Sequence, residues 1–449
     1  MRFYNRLNMK KKINKVQELK SSGVQESTHG VSKFQSSRVP ESTLKPLNPL
    51  NVEPSKEGWR LARLGEVCIS TENRDPRITP DLPFRYVDIS SVDNRSKRII
   101  QARTILGKDA PSRARQLIKA NDLLVATTRP NLNAVALVPE ELHNEICSTG
   151  FCVLRPTEVI NSLFLFFFVR TKYFIDRISG SGQVRGMLYP AVTDNQVRNV
   201  YISLPPLPEQ KRIAAKLQEL MQEVERARTA CEKQLEAAKS LPAAYLRDLF
   251  ESEEAEMWDR KRLAEVREKF VNGGTPDTSV PTYWDGNIPW ITGADITSFW
   301  VSGGRKFITE EGLKNSATHL VPKNTVLVVT RTGVGKVGIA ANDLSFSQDI
   351  TGVICGAKIL PEFLARFLLF QGDTLIRIQR GATIKGLTRD DIESLKVPLP
   401  SFSIQYSTVS YLKEKMAEVE KLRISIEKQL EAINALPQTV LRKAFRGEL

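Results

Sequence analysis

Two stretches of the chain carry apolar residues at steps of three and four. The first holds Ile213, Leu217, Leu220, Val224, Ala227, Cys231, Leu235 and Ala238; the second holds Leu412, Met416, Val419, Leu422, Ile426, Leu430 and Ile433. With Glu, Lys and Arg elsewhere, this is the pattern of a coiled-coil seam on a long helix. At about 1.5 Å per residue, 209–240 would span about 48 Å. Pro205, Pro206 and Pro208 mark the start of the first helix, as Pro400 does for the second. Pro242 and Pro437 are expected to break each helix before a short last segment, because proline lacks the N–H and clashes with the preceding turn. Elsewhere the pattern is that of short strands. Residues 85–89, Leu123–Ala126 and Val326–Val329 are β-rich runs bounded by Asn, Asp, Gly and Pro. Residues 163–178 and 363–378 each read as one helix packed on a sheet. The predicted fold class is α+β.

The second half of the chain repeats the first. Leu204, Gln210, Val224, Lys233, Leu246 and Phe250 fall on Leu399, Gln405, Val419, Lys428, Leu441 and Phe445 at one constant shift of 195 residues. Upstream the echo weakens and the shift drifts, to 203 between Asn121 and Asn324 and to 200 between Gly186 and Gly386. Drift means insertions and deletions between elements that share little surface chemistry. The organisation is a pseudo-two-fold internal repeat: diverged domains at 58–207 and 256–402, and closely repeated helices at 208–255 and 403–449. The helices are natural antiparallel partners within one chain; a tail-to-tail homodimer is the alternative.

Composition narrows the partners. The 449 residues suggest about three domains. Lys and Arg number 65 against 51 Asp and Glu, a net charge of +14, which predicts a polyanionic partner, nucleic acid or an anionic surface. Residues 1–57 are basic and polar without periodicity and read as a flexible extension. The longest apolar run, 163–169, is far short of the roughly 18 residues a membrane span needs, so it reads as core and no membrane is expected. The basic N-terminus has no apolar stretch behind it and is not a secretory signal. Five cysteines without a C-x-x-C pair point to reduced thiols and a cytoplasmic location. His29, His143 and His319 have no metal-ligand spacing. The acidic stretch 251–256 reads as a solvated helix end or linker.

Catalytic signatures are missing. Gly333, Gly335 and Gly338 form G-x-G-x-x-G after a strand, but the short, soon polar run that follows looks like a hairpin's return strand rather than a cofactor-binding helix. Lys336 does not complete a phosphate-cradling loop, since Val337 stands where Ser or Thr is required. No Asn-Pro-Pro-aromatic or Asp-Pro-Pro-Tyr cluster offers a grip on a flipped adenine. Neither Asp81 nor Asp277 is followed by the Glu-x-Lys of a metal nuclease. The chain reads as non-catalytic.

A set of motifs then stands out. Gly58-Trp59-Arg60 with Leu64-Gly65-Glu66 opens the first half, and Asp109-Ala110-Pro111-Ser112-Arg113 follows; Leu204-Pro205-Pro206-Leu207-Pro208-Glu209-Gln210 begins its helix. Gly273-Gly274-Thr275-Pro276, Tyr283-Trp284, Ile288-Pro289-Trp290 and Arg380-Gly381-Ala382-Thr383 mark the second half. In this combination the chain resembles the DNA-specificity subunit of Type I restriction–modification systems over 58–449. The second helix start departs from the pattern, reading Leu399-Pro400-Ser401-Phe402-Ser403-Ile404-Gln405. The resemblance implies that each diverged domain is a target-recognition domain reading one half of a split, asymmetric site in double-stranded DNA. The helices would fix the gap between the halves. It implies two modification subunits carrying S-adenosylmethionine and methylating adenine, and two motor-nuclease subunits using ATP and Mg2+, with no cofactor in this chain. A coiled-coil DNA-binding adaptor or homodimer without a methyltransferase is the alternative reading.

Candidate readers are polar residues in loops after strands, where readout belongs on a basic scaffold. In the first domain they are Thr127, Thr128, Arg129, Asn131 and Asn133, then Gln183 and Arg185, joined by Arg113 and Arg115 at the edge of an Ala-Pro-Ser turn. In the second they are Thr330, Arg331, Thr332, Lys336 and Gln348, then Thr383 and Lys385. Trp59, Tyr283, Trp284 and Trp290 are expected to pack rather than to stack on bases.

Overall fold

The computed structural model describes residues 56–180, 191–380 and 386–449. The expected readers Gln183, Arg185, Thr383 and Lys385, and nearly all of the N-terminal extension, lie outside the described residues.

Each half is built on a sheet whose middle strands are apolar on both faces. In the first half these are β1 (Leu123–Ala126), β2 (Val135–Leu137) and β3 (Phe151–Pro156), in the order Cys68–Ile69, β3, β1, β2. The second half repeats them as β4 (Val326–Val329), β5 (Val337–Ala340) and β6 (Ile350–Cys355). The β1–β3 and β4–β6 pairings are both antiparallel, Leu124 facing Val153 and Leu327 facing Gly352. All four residues of β1 and of β4 are buried. The G-x-G-x-x-G run is the β4–β5 hairpin: Gly333 and Gly335 take positive φ of +116° and +97° in its turn, and Gly338 pairs with Leu327.

The segments read as one helix apiece are two in each half. α1 (Ser162–Phe168) ends before Thr171, whose hydroxyl accepts the Phe174 N–H and starts α2 (Lys172–Ser179) as an N-cap. The second half has α4 (Pro361–Phe370) and α5 (Gly372–Ile378), broken at Gln371. Between them lies α3 (Leu207–Phe250), and after them α6 (Phe402–Phe445), each of 44 residues and about 66 Å long.

The expected breaks at Pro242 and Pro437 do not occur; both prolines lie inside continuous helices. An interior proline costs about 3 kcal/mol. Here the turns beyond it are anchored in a core. Phe250 packs on Phe363, Phe367 and Phe370 at 5.7, 5.5 and 5.4 Å, and Phe445 on Phe164 and Phe168 at 4.9 and 5.5 Å. Phe250 is buried and Phe445 half-buried, and burial of such a ring contributes on the order of 2 kcal/mol, which offsets much of that cost.

The two long helices run antiparallel. Ile213, Ala214 and Leu217 at the start of α3 share a core with Leu441 and Ala444 at the end of α6, and Leu246 and Phe250 share one with Leu412. At the crossing, Cys231 Sγ donates to the Ile426 carbonyl at 3.5 Å, and these are equivalent positions of the repeat. The expected seam is buried at its centre and ends, while Ala227 and Leu422 face solvent. Because each helix leaves one half and ends in the other, both halves grip both helices.

A repeated glutamine fixes that grip. Gln210 Oε1 accepts the Asn161 N–H at 2.8 Å, while Nε2 donates to the Val159 and Pro205 carbonyls at 3.0 and 2.9 Å. Gln405 repeats all three bonds with Leu360 N–H, Lys358 and Pro400 at 2.9, 3.1 and 3.0 Å. Both glutamines are at most 1% exposed.

Candidate nucleic-acid interface

The loop leaving each central strand is locked by a threonine. Thr127 donates to the Gly150 carbonyl through its N–H (2.9 Å) and its Oγ1 (2.8 Å), and its own carbonyl accepts the Val192 N–H at 2.8 Å. Thr330 donates to the Asp349 carbonyl through N–H (2.7 Å) and Oγ1 (3.2 Å), and accepts the Leu387 N–H at 2.8 Å. Isolated bridges join Thr128 to Ala191 and Arg331 to Gly386. In each half, therefore, the loop after the central strand sits beside one end of the second polar segment that the sequence singles out.

Both loops carry backbone in the left-handed region, φ +51° at Arg129 and +48° at Asn133 in the first, +47° at Thr332 in the second. Such residues cost about 1–3 kcal/mol each and persist where the surroundings over-determine them. The exposed candidates in and around these loops are Arg113, Arg129 and Asn131 in the first half, and Arg331, Thr332, Lys336 and Gln348 in the second. Thr128 is half-buried beside them. The Arg113 carbonyl accepts the Thr149 N–H at 2.9 Å, which holds that arginine near the Thr127 lock. Lys336 Nζ donates to the Gly293 carbonyl at 3.3 Å, and Gln348 Oε1 accepts from Thr275 Oγ1 at 2.5 Å.

Four expected readers are engaged inside the fold instead. Thr127, Asn133 and Thr330 are 8%, 6% and 6% exposed, and their polar groups are occupied by the bonds that shape the loops. Asn133 Nδ2 donates to the Val169 carbonyl at 2.8 Å, and its own carbonyl accepts from Lys97 Nζ at 2.5 Å. Arg115 is half-buried and ion-paired with Asp75. Lys97 is a residue the sequence did not single out. Burial, reinforced by the nearby charge of Arg170, pulls its pKa down to about 8, against the opposing pull of Asp93. Nothing local marks it, because its partner lies 36 residues away.

Trp59 and Trp290 are buried, and Trp290 Nε1 donates to the Gly274 carbonyl at 3.0 Å, as expected of packing residues. All five cysteines are free thiols. Among the described residues no group of His, Cys, Asp and Glu could hold a metal ion, and no helix is long and apolar enough to cross a membrane.

The family described as the Type I restriction modification DNA specificity domain matches twice, at residues 56–236 and 255–432. The chain belongs to this specificity family. The double match follows the internal repeat. The chain is 30% identical over 181 residues to the Type I restriction enzyme MjaIX specificity subunit of Methanocaldococcus jannaschii, covering 38% of this chain and 41% of that one. It is 24% identical over 362 residues to the EcoKI specificity subunit of Escherichia coli K12, covering 74% and 76%. The alignments thus span less than half of the MjaIX subunit but about three quarters of EcoKI's. Among solved structures, the HsdS subunit from Thermoanaerobacter tengcongensis matches with a TM-score of 0.64 at 32% identity, over 88% of this chain and 98% of that one. A chain from a structure of complex assembly and conformational transition in the type I R-M system matches with a TM-score of 0.78 at 33% identity, over 88% and 99%. The fold of two α+β halves on a pair of long antiparallel helices is therefore shared with these two solved chains.

Proposed function

We propose that the chain is the non-catalytic sequence-reading subunit of a Type I restriction–modification enzyme. Its target-recognition domains, 58–207 and 256–402, each read one half of a bipartite, asymmetric site in double-stranded DNA. The carrying observation is that one lock, Thr127 on Gly150 and Thr330 on Asp349, is built twice while the exposed residues it presents differ. Identical scaffolds with different readers suit two different half-sites. Arg113, Arg129, Arg331 and Lys336 supply positive charge for phosphates and guanine edges, and Asn131 and Gln348 suit adenine edges. Gln183, Arg185, Thr383 and Lys385 complete the proposed set. The long helices fix the gap and dock two modification subunits, which bring S-adenosylmethionine, and two motor-nuclease subunits, which bring ATP and Mg2+.

Genome-wide methylation mapping with and without this chain tests the reading. A bipartite adenine motif is expected to vanish on deletion; an unchanged methylome would refute it. Inserting about four residues into 209–240 changes the length and phase of the helix. The expected result is an altered gap between unaltered half-sites.

A further inference from the structure

Among the described residues, hydrogen bonds link the first reading loop to both long helices, and the equivalent path is interrupted in the second half. Gln438 on α6 grips the turn between α1 and α2: its Nε2 donates to the Arg170 carbonyl at 2.9 Å, and its Oε1 accepts the Lys172 N–H at 3.0 Å. The neighbouring Val169 carbonyl takes the Asn133 amide, and the Asn133 carbonyl takes Lys97 Nζ. Lys97 sits in the 92–99 hairpin at φ +56°, and on the same hairpin Arg95 pairs with Glu232 of α3 at 2.6 Å. A single path of hydrogen bonds and short backbone links thus runs from α6, through the end of the reading loop, to α3.

The second half breaks this path at both ends. The repeat equivalent of Gln438 is Ala243, which has no side-chain polar group. The equivalent of Glu232 is Glu427, which pairs with Arg423 of its own helix at 2.6 Å. The loop's own tie runs the other way, from Lys336 to the Gly293 carbonyl. Among the described residues, the hydrogen bonds of the Gln438 side chain go to the turn behind the first loop.

We propose that Gln438, Lys97 and the Arg95–Glu232 pair are positioning residues that make discrimination at the first half-site, and not at the second, depend on the two long helices. This rests on the reading role proposed above. The turn behind Asn133 can move only if a bond to α6 or to the hairpin yields, so helix placement sets where Arg129 and Asn131 stand.

The test uses the full chain with its modification subunits, assayed for adenine methylation on a library randomised separately in each half-site. The half-site that changes when 58–207 is exchanged for another member's domain is the first. Gln438→Ala installs the residue that α3 carries at the equivalent position, so the helix should tolerate it. Its discrimination at the first half-site is expected to fall about tenfold relative to the second, the order set by losing two neutral hydrogen bonds. Gln438→Glu, which keeps the acceptor for the Lys172 N–H and loses the donor, should recover part of that loss. Glu232→Gln should weaken the same half-site less. Lys336→Met should affect only the second. An equal loss at both half-sites, or lower stability with both discrimination ratios intact, would overturn the coupling. A wild-type chain that marks no bipartite site would instead overturn the reading role itself.

Discussion

At the head of β1 in the first half, Asp122 is 1% exposed and forms a two-pronged pair with Arg155, at 3.0 and 2.9 Å. At the corresponding place before β4, the second half has Thr325, also 1% exposed, whose hydroxyl donates to the Pro322 carbonyl at 2.7 Å. The strands that follow are superimposable in role, and so are the loop locks and the glutamine clamps. What the halves share is held by a side chain bonded to backbone: Gln210 and Gln405 to carbonyls and an amide, Thr127 and Thr330 to a carbonyl. Pairs of side chains, such as Asp122 with Arg155 or Arg95 with Glu232, belong to the first half, as does the Gln438 grip on backbone. A bond to backbone survives when every neighbouring side chain changes, whereas a pair is lost when either member does. Backbone bonds such as the glutamine clamps thus let the two domains diverge in surface and still keep one shared grip on the pair of helices.

The comparison breaks most sharply at Asp122. Asp122→Ala leaves the half-buried Arg155 guanidinium without its carboxylate but with the Leu117 carbonyl and Thr71 Oγ1, and losing hydrogen bonds of a charged group costs about 1.5–3 kcal/mol. Thr325→Ala removes one neutral bond and should cost about 1 kcal/mol. Denaturant unfolding combined with amide exchange should show the first loss centred on β1 and β3, with the second half protected. If Asp122→Ala costs no more than Thr325→Ala, then the ion pair does not distinguish the halves.

The shared clamps should respond alike. Gln210→Leu strands the Asn161 N–H and two carbonyls in a buried site, and Gln405→Leu does the same at Leu360. Unsatisfied buried groups of this kind cost about 1–3 kcal/mol each, partly relieved by relaxation, so each variant should lose about 2–4 kcal/mol. Thermal or denaturant midpoints give the values directly. A gap of more than about 2 kcal/mol between the two would mean that the clamps match in geometry without matching in energy.

Much of this was legible because it was written twice. The constant shift across the helices picks out Gln210 and Gln405 along with the apolar seam, although the repeat reveals only that they matter and not which carbonyls they hold. The misread features share one cause: their partners lie far away in sequence. Pro242 breaks a helix in isolation, and nothing near it shows that Phe250 will be buried against Phe363. Thr127 at the end of an apolar strand looks the same whether its hydroxyl faces DNA or the Gly150 carbonyl. The split between α1 and α2 was the exception, since Thr171 carries a local N-cap signal within an otherwise helical run.

The smallest effect is a dependence on pH, and it separates the halves without any substitution. Burial and the facing charge of Arg170 lower the Lys97 pKa to about 8, with Asp93 opposing. Since the folded value lies below that of an unfolded lysine, the unfolded chain binds more protons between about pH 8 and pH 10.5, and this group makes stability rise with pH across that window. The charge-assisted bond to the Asn133 carbonyl behaves oppositely, weakening as the ammonium loses its proton above about pH 8. Discrimination at the first half-site, measured relative to the second in the same tube, should therefore decline modestly from pH 7 to pH 9 while the fold does not weaken at this site. Lys97→Met should flatten both trends at once. A ratio that stays constant across that range in the wild-type chain would show that the Lys97 tie to Asn133 is passive, and that any coupling to the helices runs through Gln438.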